Sequence, residues 1–107
     1  MNQFKFNKKT DNLFSAILKV KSVKEAECFF RDLCTTEEIK EMADRWEIAQ
    51  SVNNKLSYRD IATKLKTSTT TVARVASWLN NGRGGYRLIL DRLNGNHHNS
   101  SGFSRKS

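Results

Sequence analysis

Between Ser57 and Arg74 the chain gathers an unusual share of its cations and hydroxyls: Arg59, Lys64, Lys66, Ser68, Thr69, Thr70, Thr71 and Arg74. Guanidinium, ammonium and short hydroxyl groups bond phosphate oxygens and base edges in a major groove. The interleaved apolar residues say how they would be presented. Ile61 and Leu65 stand four apart, and Val72 and Val75 three apart, so each pair shares one face of a helix. Ala62 is small where two helices must cross closely. The stretch reads as two short helices joined by a tight turn, over about residues 57–80, the layout of a helix-turn-helix. Thr69, Thr70, Thr71 and Arg74 are left on the outer face of the second helix. Ser57 followed by Asp60 makes a capping-box-like start, and Ser68 is a good N-cap for the second helix. Lys66 holds a turn position that is often glycine, because the backbone there tends to adopt positive φ. An ordinary helical hairpin with a polar outer face is the plainer reading of the same spacing.

The rest of the chain must position this pair, and its periodicity predicts an all-α protein of six helices. Residues 1–10 read as a basic N-terminal arm. The first helix covers about Asp11 to Lys21, with Leu13, Phe14, Ile17, Leu18 and Val20 as its stripe. Ser22 with Glu25 opens a second helix that runs to about Leu33, with Val23, Ala26, Phe29, Phe30 and Leu33 on one side. Thr35 with Glu38 opens a third that runs to about Val52, with Ile39, Met42, Ala43, Trp46 and Ala49 at helical spacing. After the helix-turn-helix, residues 81–85 break the chain, and a sixth helix runs from about Tyr86 to Leu93. One domain thus spans residues 11–93. From Asn94 to Ser107, Asn, Ser, Gly and His dominate and a disordered tail is expected. Proline is absent, as suits helices joined by short turns.

Composition narrows the function. The chain has 107 residues and a formal net charge of +8. Residues 57–93 carry seven Lys/Arg against two Asp/Glu, whereas residues 34–56 carry three against five. Positive charge therefore peaks on the helix-turn-helix and the segment after it, the footprint of a phosphate-binding face. Solubility charge, or affinity for RNA or an anionic membrane surface, would give the same sum. No window approaches the ~18 apolar residues of a spanning helix. Lys8, Lys9 and Asp11 interrupt the N-terminus before a signal-peptide core could form, so a cytoplasmic location is expected. Cys28 and Cys34 match no metal or redox spacing and read as buried free thiols.

The residues from Cys34 to Ile39, the run Asp44-Arg45-Trp46, the run Leu56 to Ile61 and the run Thr69 to Arg74 together resemble the tryptophan repressor family. The resemblance is closest to the Trp-repressor-related subgroup of Firmicutes, and it covers about residues 11–93. It implies an intertwined homodimer in which the first, second, third and sixth helices of two chains interlock and each helix-turn-helix stands outside. It also implies a symmetric operator with half-sites about one helical turn, ~34 Å, apart. Arg59 matches an arginine that reaches a guanine edge in the family. Thr69, Thr70 and Thr71 match the N-terminal residues of the recognition helix.

In the family an indole ring lies between two arginines, matched here by Arg45 and Arg74, and a threonine nearby is matched by Thr35. This chain departs from the pattern at two positions. Val75 replaces a glycine, and Trp78 replaces a serine that bonds the ligand's amino group. The added bulk predicts a poor fit for free tryptophan. Three readings of Trp78 stay open: a built-in ligand mimic stacked on Arg45 or Arg74, plain core packing, or a wall of a pocket for a different small effector.

No enzyme is expected. His97 and His98, the only histidines, have no partner pattern, and no nucleophile, metal or nucleotide motif occurs. No cofactor or metal is implied. The reading is a DNA-binding transcriptional regulator, a repressor, that binds a palindromic operator in double-stranded DNA as a homodimer without requiring tryptophan. The alternative is a helical protein-interaction adaptor that keeps the fold without specific DNA reading.

Overall fold

The computed structural model of the chain describes residues 4–95. Within them lie six helices and no strand: α1 (Lys8–Ile17), α2 (Val23–Leu33), α3 (Thr36–Asn53), α4 (Tyr58–Leu65), α5 (Thr69–Asn81) and α6 (Gly85–Leu93). The fold is all-α, in the helix order that the periodicity predicts. The expected disordered tail lies outside the described residues from residue 96 onward, as do His97 and His98.

The largest boundary difference is at α1, which begins at Lys8 rather than Asp11 and stops at Ile17 rather than Lys21. Its start is set by a cap absent from the sequence reading. The Thr10 backbone N–H donates to Asn7 Oδ1 at 3.0 Å, and the Asn7 N–H donates to Thr10 Oγ1 at 2.9 Å. Two donors that the helix cannot satisfy internally are thereby paired. The last residues of the basic arm are thus the first turn of α1.

The chain divides within α3, between Lys40 and Glu41, into two compact units. In the first, α1 and α2 are amphipathic, yet neither has a buried residue. Phe4, Phe6 and Phe14 form a chain of rings, with centroids 5.0 and 5.9 Å apart. Leu18 and Val23 are 83% and 77% exposed. Cys28 is exposed and Cys34 half-buried, both free, where buried thiols were expected. The reason is that α2 has no fully buried residue, with only Ala26, Phe29 and Phe30 half-buried, so neither thiol has a core to enter.

The second unit holds the core. Ile48 and Ala49 of α3, Ile61 and Ala62 of α4, and Val72 and Val75 of α5 cluster, with Trp46, Val52, Leu65 and Tyr86 packed around them. Burying each large aliphatic side chain is worth about 1.5–3 kcal/mol. Ile48 was not on the stripe read from the sequence. Of that stripe Ala49 is fully buried and Trp46 packs against the core, whereas Met42 and Ala43 are exposed and Ile39 is half-buried. Helix α3 therefore meets α4 and α5 with Ala49 of the stripe together with Ile48 and Val52 beside it.

Helix α6 is held by its ends. Gly84, at φ 88°, forms its N-cap, and the Arg87 guanidinium donates to Asn53 Oδ1 at 2.6 Å, tying α6 to the end of α3. Gly82 closes α5 through its N–H to the Trp78 carbonyl at 2.9 Å, and a Cβ there would collide with that same oxygen. Truncating the core at its centre should be costly. Ile48→Ala is expected to destabilise by about 2–5 kcal/mol, read as a fall in the urea midpoint at fixed protein concentration.

Candidate functional site

The pair α4 and α5 is built by its turn. Helix α4 ends at Lys66, which adopts the left-handed conformation (φ 57°, ψ 47°) that its position predicted. The Thr67 N–H donates to the Ala62 carbonyl at 2.9 Å, and the Lys66 N–H to the Thr63 carbonyl at 3.4 Å. That double closure is a Schellman motif. Two residues later α5 begins. Ser68 Oγ accepts from the Thr71 N–H at 3.0 Å and lies 2.9 Å from Thr71 Oγ1. At the start of α4, Ser57 Oγ accepts from the Asp60 N–H at 3.1 Å. Among the described residues the return bond from Asp60 is not made, because aspartate is one methylene shorter than glutamate. At α3 the full box forms: the Glu38 N–H donates to Thr35 Oγ1 at 3.1 Å, and Glu38 Oε1 accepts from the Thr35 N–H at 2.9 Å.

The faces separate as the spacing predicts. Ile61, Val72 and Val75 are at most 1% exposed and Ala62 is 8% exposed, while Leu65 packs at the core edge. Arg59, Lys64, Lys66, Ser68, Thr69, Thr70 and Arg74 are exposed, and Thr71 is half-buried. The first turn of α5 has no acidic residue, whereas each of α1 to α4 has at least one.

Behind the outer face lies a cavity of about 200 Å³. Arg45, Arg74, Val75 and Trp78, four of the five residues expected at an effector pocket, line it together with Ile48, Thr67 and Thr71. Thr35, the fifth, belongs to the first unit, where its hydroxyl caps α3. Glu41 and Asp44, which the sequence does not single out, also line the cavity. Their signal was available: residues 41, 44, 45 and 48 recur at helical spacing. Two carboxylates thus balance two guanidiniums over an apolar floor.

A second, wider cleft of about 630 Å³ lies beside α5 and α6, walled by Trp46, Trp78, Tyr86 and Ile89. The Trp46 and Tyr86 rings stack at 6.2 Å and 24°. Trp78, 45% exposed, borders both cavities. Nothing in the sequence pattern pointed to this cleft, because its walls come from three helices.

A compact helical unit that presents a basic, hydroxyl-bearing helix pair on a small core defines a class: all-helical proteins with an exposed basic helix pair. Comparison with known proteins places it within that class. The family model of the Trp repressor protein matches residues 8–94. The uncharacterised protein YerC of Bacillus subtilis is 41% identical over 86 residues, covering 80% of this chain and 83% of that protein. Two crystal structures superpose with a TM-score of 0.78. A TrpR-like protein from Eubacterium eligens is 40% identical and covers 82% of this chain and 91% of its own. A candidate Trp repressor from Staphylococcus aureus is 36% identical and covers 83% and 89%. The chain belongs to the Trp repressor family, a family of DNA-binding regulators.

The Ser68 hydroxyl joins the turn to α5, so its loss should be felt in the fold. Ser68→Ala is expected to lower stability by about 1 kcal/mol, measured as a shift in the denaturant midpoint with unchanged slope.

Proposed function

We propose that the chain is a sequence-specific regulator of transcription, a repressor, which reads a palindromic operator in double-stranded DNA as a homodimer and does not need tryptophan. The observation that carries this reading is the division of α4 and α5 into a buried face (Ile61, Val72, Val75) and an exposed face (Arg59, Lys64, Lys66, Ser68, Thr69, Thr70, Arg74). The pair has the layout of a DNA-binding helix-turn-helix, with α5 entering the major groove by its N-terminal turn. Arg59 is suited to a bidentate contact with guanine, and the α5 hydroxyls, Thr71 among them, to phosphates and base edges.

The dimer reading is supported by what the single chain leaves uncovered. Helices α1 and α2 have no fully buried residue, and the outer face of α3 is largely open. The cleft between Trp46, Trp78, Tyr86 and Ile89 is apolar and open as well. Apolar surfaces on this scale in a small helical chain are completed by a second copy.

Independence from tryptophan is supported by size. The cavity of about 200 Å³ is small, and two bulky side chains narrow it. Val75 is part of the core, and the Trp78 ring already forms one wall of the cavity. A smaller ligand with groups matching Arg45, Arg74, Glu41 and Asp44 remains compatible with the space.

Selection of bound duplexes from a random pool, with and without tryptophan, tests the reading. A palindromic sequence should emerge equally in both arms. A sequence that emerges only with tryptophan would restore a corepressor, and none in either arm would turn the reading toward a protein-interaction adaptor. On the selected operator, Arg59→Ala should cost about 1–3 kcal/mol and relax preference at one base pair. Lys64→Ala should instead weaken all sequences alike, seen by titration against operator and scrambled duplexes.

A further inference from the structure

Among the described residues only two that are not glycine have positive φ, Lys55 (φ 69°) and Lys66 (φ 57°). Both are lysines, both are exposed, and they bracket α4. The backbone solution is the same at each. The Lys55 N–H donates to the Val52 carbonyl at 2.9 Å and the Leu56 N–H to the Ser51 carbonyl at 3.3 Å, closing α3 as Lys66 and Thr67 close α4. Glycine adopts this conformation without strain, and Asn or Asp with less strain than other residues. Lysine has no such advantage.

The chain supplies its own control. Helix α6 is also flanked by two left-handed residues, at its N-cap and just past its C-cap, and both are glycines, Gly84 (φ 88°) and Gly95 (φ 76°). The settings differ, since Gly84 caps α6 itself while Lys55 and Lys66 close the helices before them, but where φ is positive beside α6 the chain uses glycine. Helix α4, which belongs to the reading pair, has a cation at each post, and α6 has no side chain at either. A strained conformation kept with a less suitable residue points to a role for the side chain.

We infer that Lys55 and Lys66 are a pair of phosphate clamps, which extends the DNA-contacting surface from α5 back to the turn between α3 and α4. The inference rests on the DNA reading above. Helix α4 has eight residues and is therefore ~12 Å long. One strand of duplex DNA presents a phosphate every ~3.4 Å along the axis. Cations at the two ends of α4 accordingly meet different phosphates, and their contributions add. Because each ammonium is carried on a closed turn, its backbone anchor is fixed before DNA arrives. Lys55 carries no signal in the sequence, since it lies outside the helix pair and only its φ sets it apart.

The test uses the full chain and a random-sequence duplex of about 30 base pairs, with affinity measured across a salt series. Lys55→Gly and Lys66→Gly each remove the ammonium and keep the turn. Each should lower the slope of log affinity against log salt by about 0.9, and the double variant by about twice that. At ~0.1 M salt each single variant should bind roughly five- to tenfold more weakly. Both should melt no lower than the parent. Lys24→Ala on α2 is the charge-matched comparison and should leave the slope unchanged. An unchanged slope for Lys55→Gly, or an equal drop for Lys24→Ala, overturns the clamp while leaving DNA binding in place. Lower melting of the glycine variants also overturns it, because lysine would then be the better residue for the turn. Failure of the parent chain to bind duplex at all removes the DNA reading itself, a result distinct from the others.

Discussion

Everything that the exposed face can do depends on one packing arrangement: Ile48, Ile61, Val72 and Val75 brought together with almost no solvent contact. These four side chains come from three helices and fix α4 and α5 on α3. Close packing leaves little room for adjustment, so the register of the helix pair is set by side-chain shape as much as by the turn. The turn then needs only to be closed. The Lys66 and Thr67 N–H groups do this with one backbone bond each, and Ser68 caps the next helix. Position and chemistry are therefore divided between residues. The aliphatic groups hold the frame, and the hydroxyls and cations are carried on it without structural duties, except for Ser68 and Thr71.

The helix pair was legible because its signals are local. Ile61, Val72, Val75, Ala62 and the caps Ser57 and Ser68 all follow from spacing within one or two turns, and the positive φ of Lys66 follows from its place between two helices. What sequence reasoning missed arises from packing at longer range. Of the apolar stripe along α3, Ala49 and Trp46 do meet the core, but Met42 and Ala43 stay open, and Ile48 and Val52 from beside the stripe complete the covered face. The buried thiols were inferred from residue type, and α2 offers no interior to receive them. The early start of α1 is a different kind of miss. Asn7 and Thr10 form a capping box whose residues are less familiar than Ser and Glu, though the bonds are the same.

At the candidate pocket, residue identity gave the arginines, Val75 and Trp78, but not the carboxylates opposite them. Glu41 and Asp44 look like ordinary surface acids along the sequence. Only the fold brings them onto the same cavity as Arg74, thirty residues further along. The pocket is therefore a balanced set of charges rather than a cationic slot. Trp78 connects this region to the apolar cleft by bordering both, so the C-terminal half of α5 is exposed to events on either side of it.

The uncovered state of α1 and α2 bears on how the protein is made. Residues 4–40 leave the ribosome before the core-forming helices exist. Helices of ten or eleven residues are marginal in water when nothing packs on them. The segment that precedes the core is thus the one least able to hold its structure by itself, and the order of translation runs against the order of consolidation. Its phenylalanine rings, Phe4, Phe6 and Phe14, are still exposed in the finished chain, so the need to shield them does not end with synthesis.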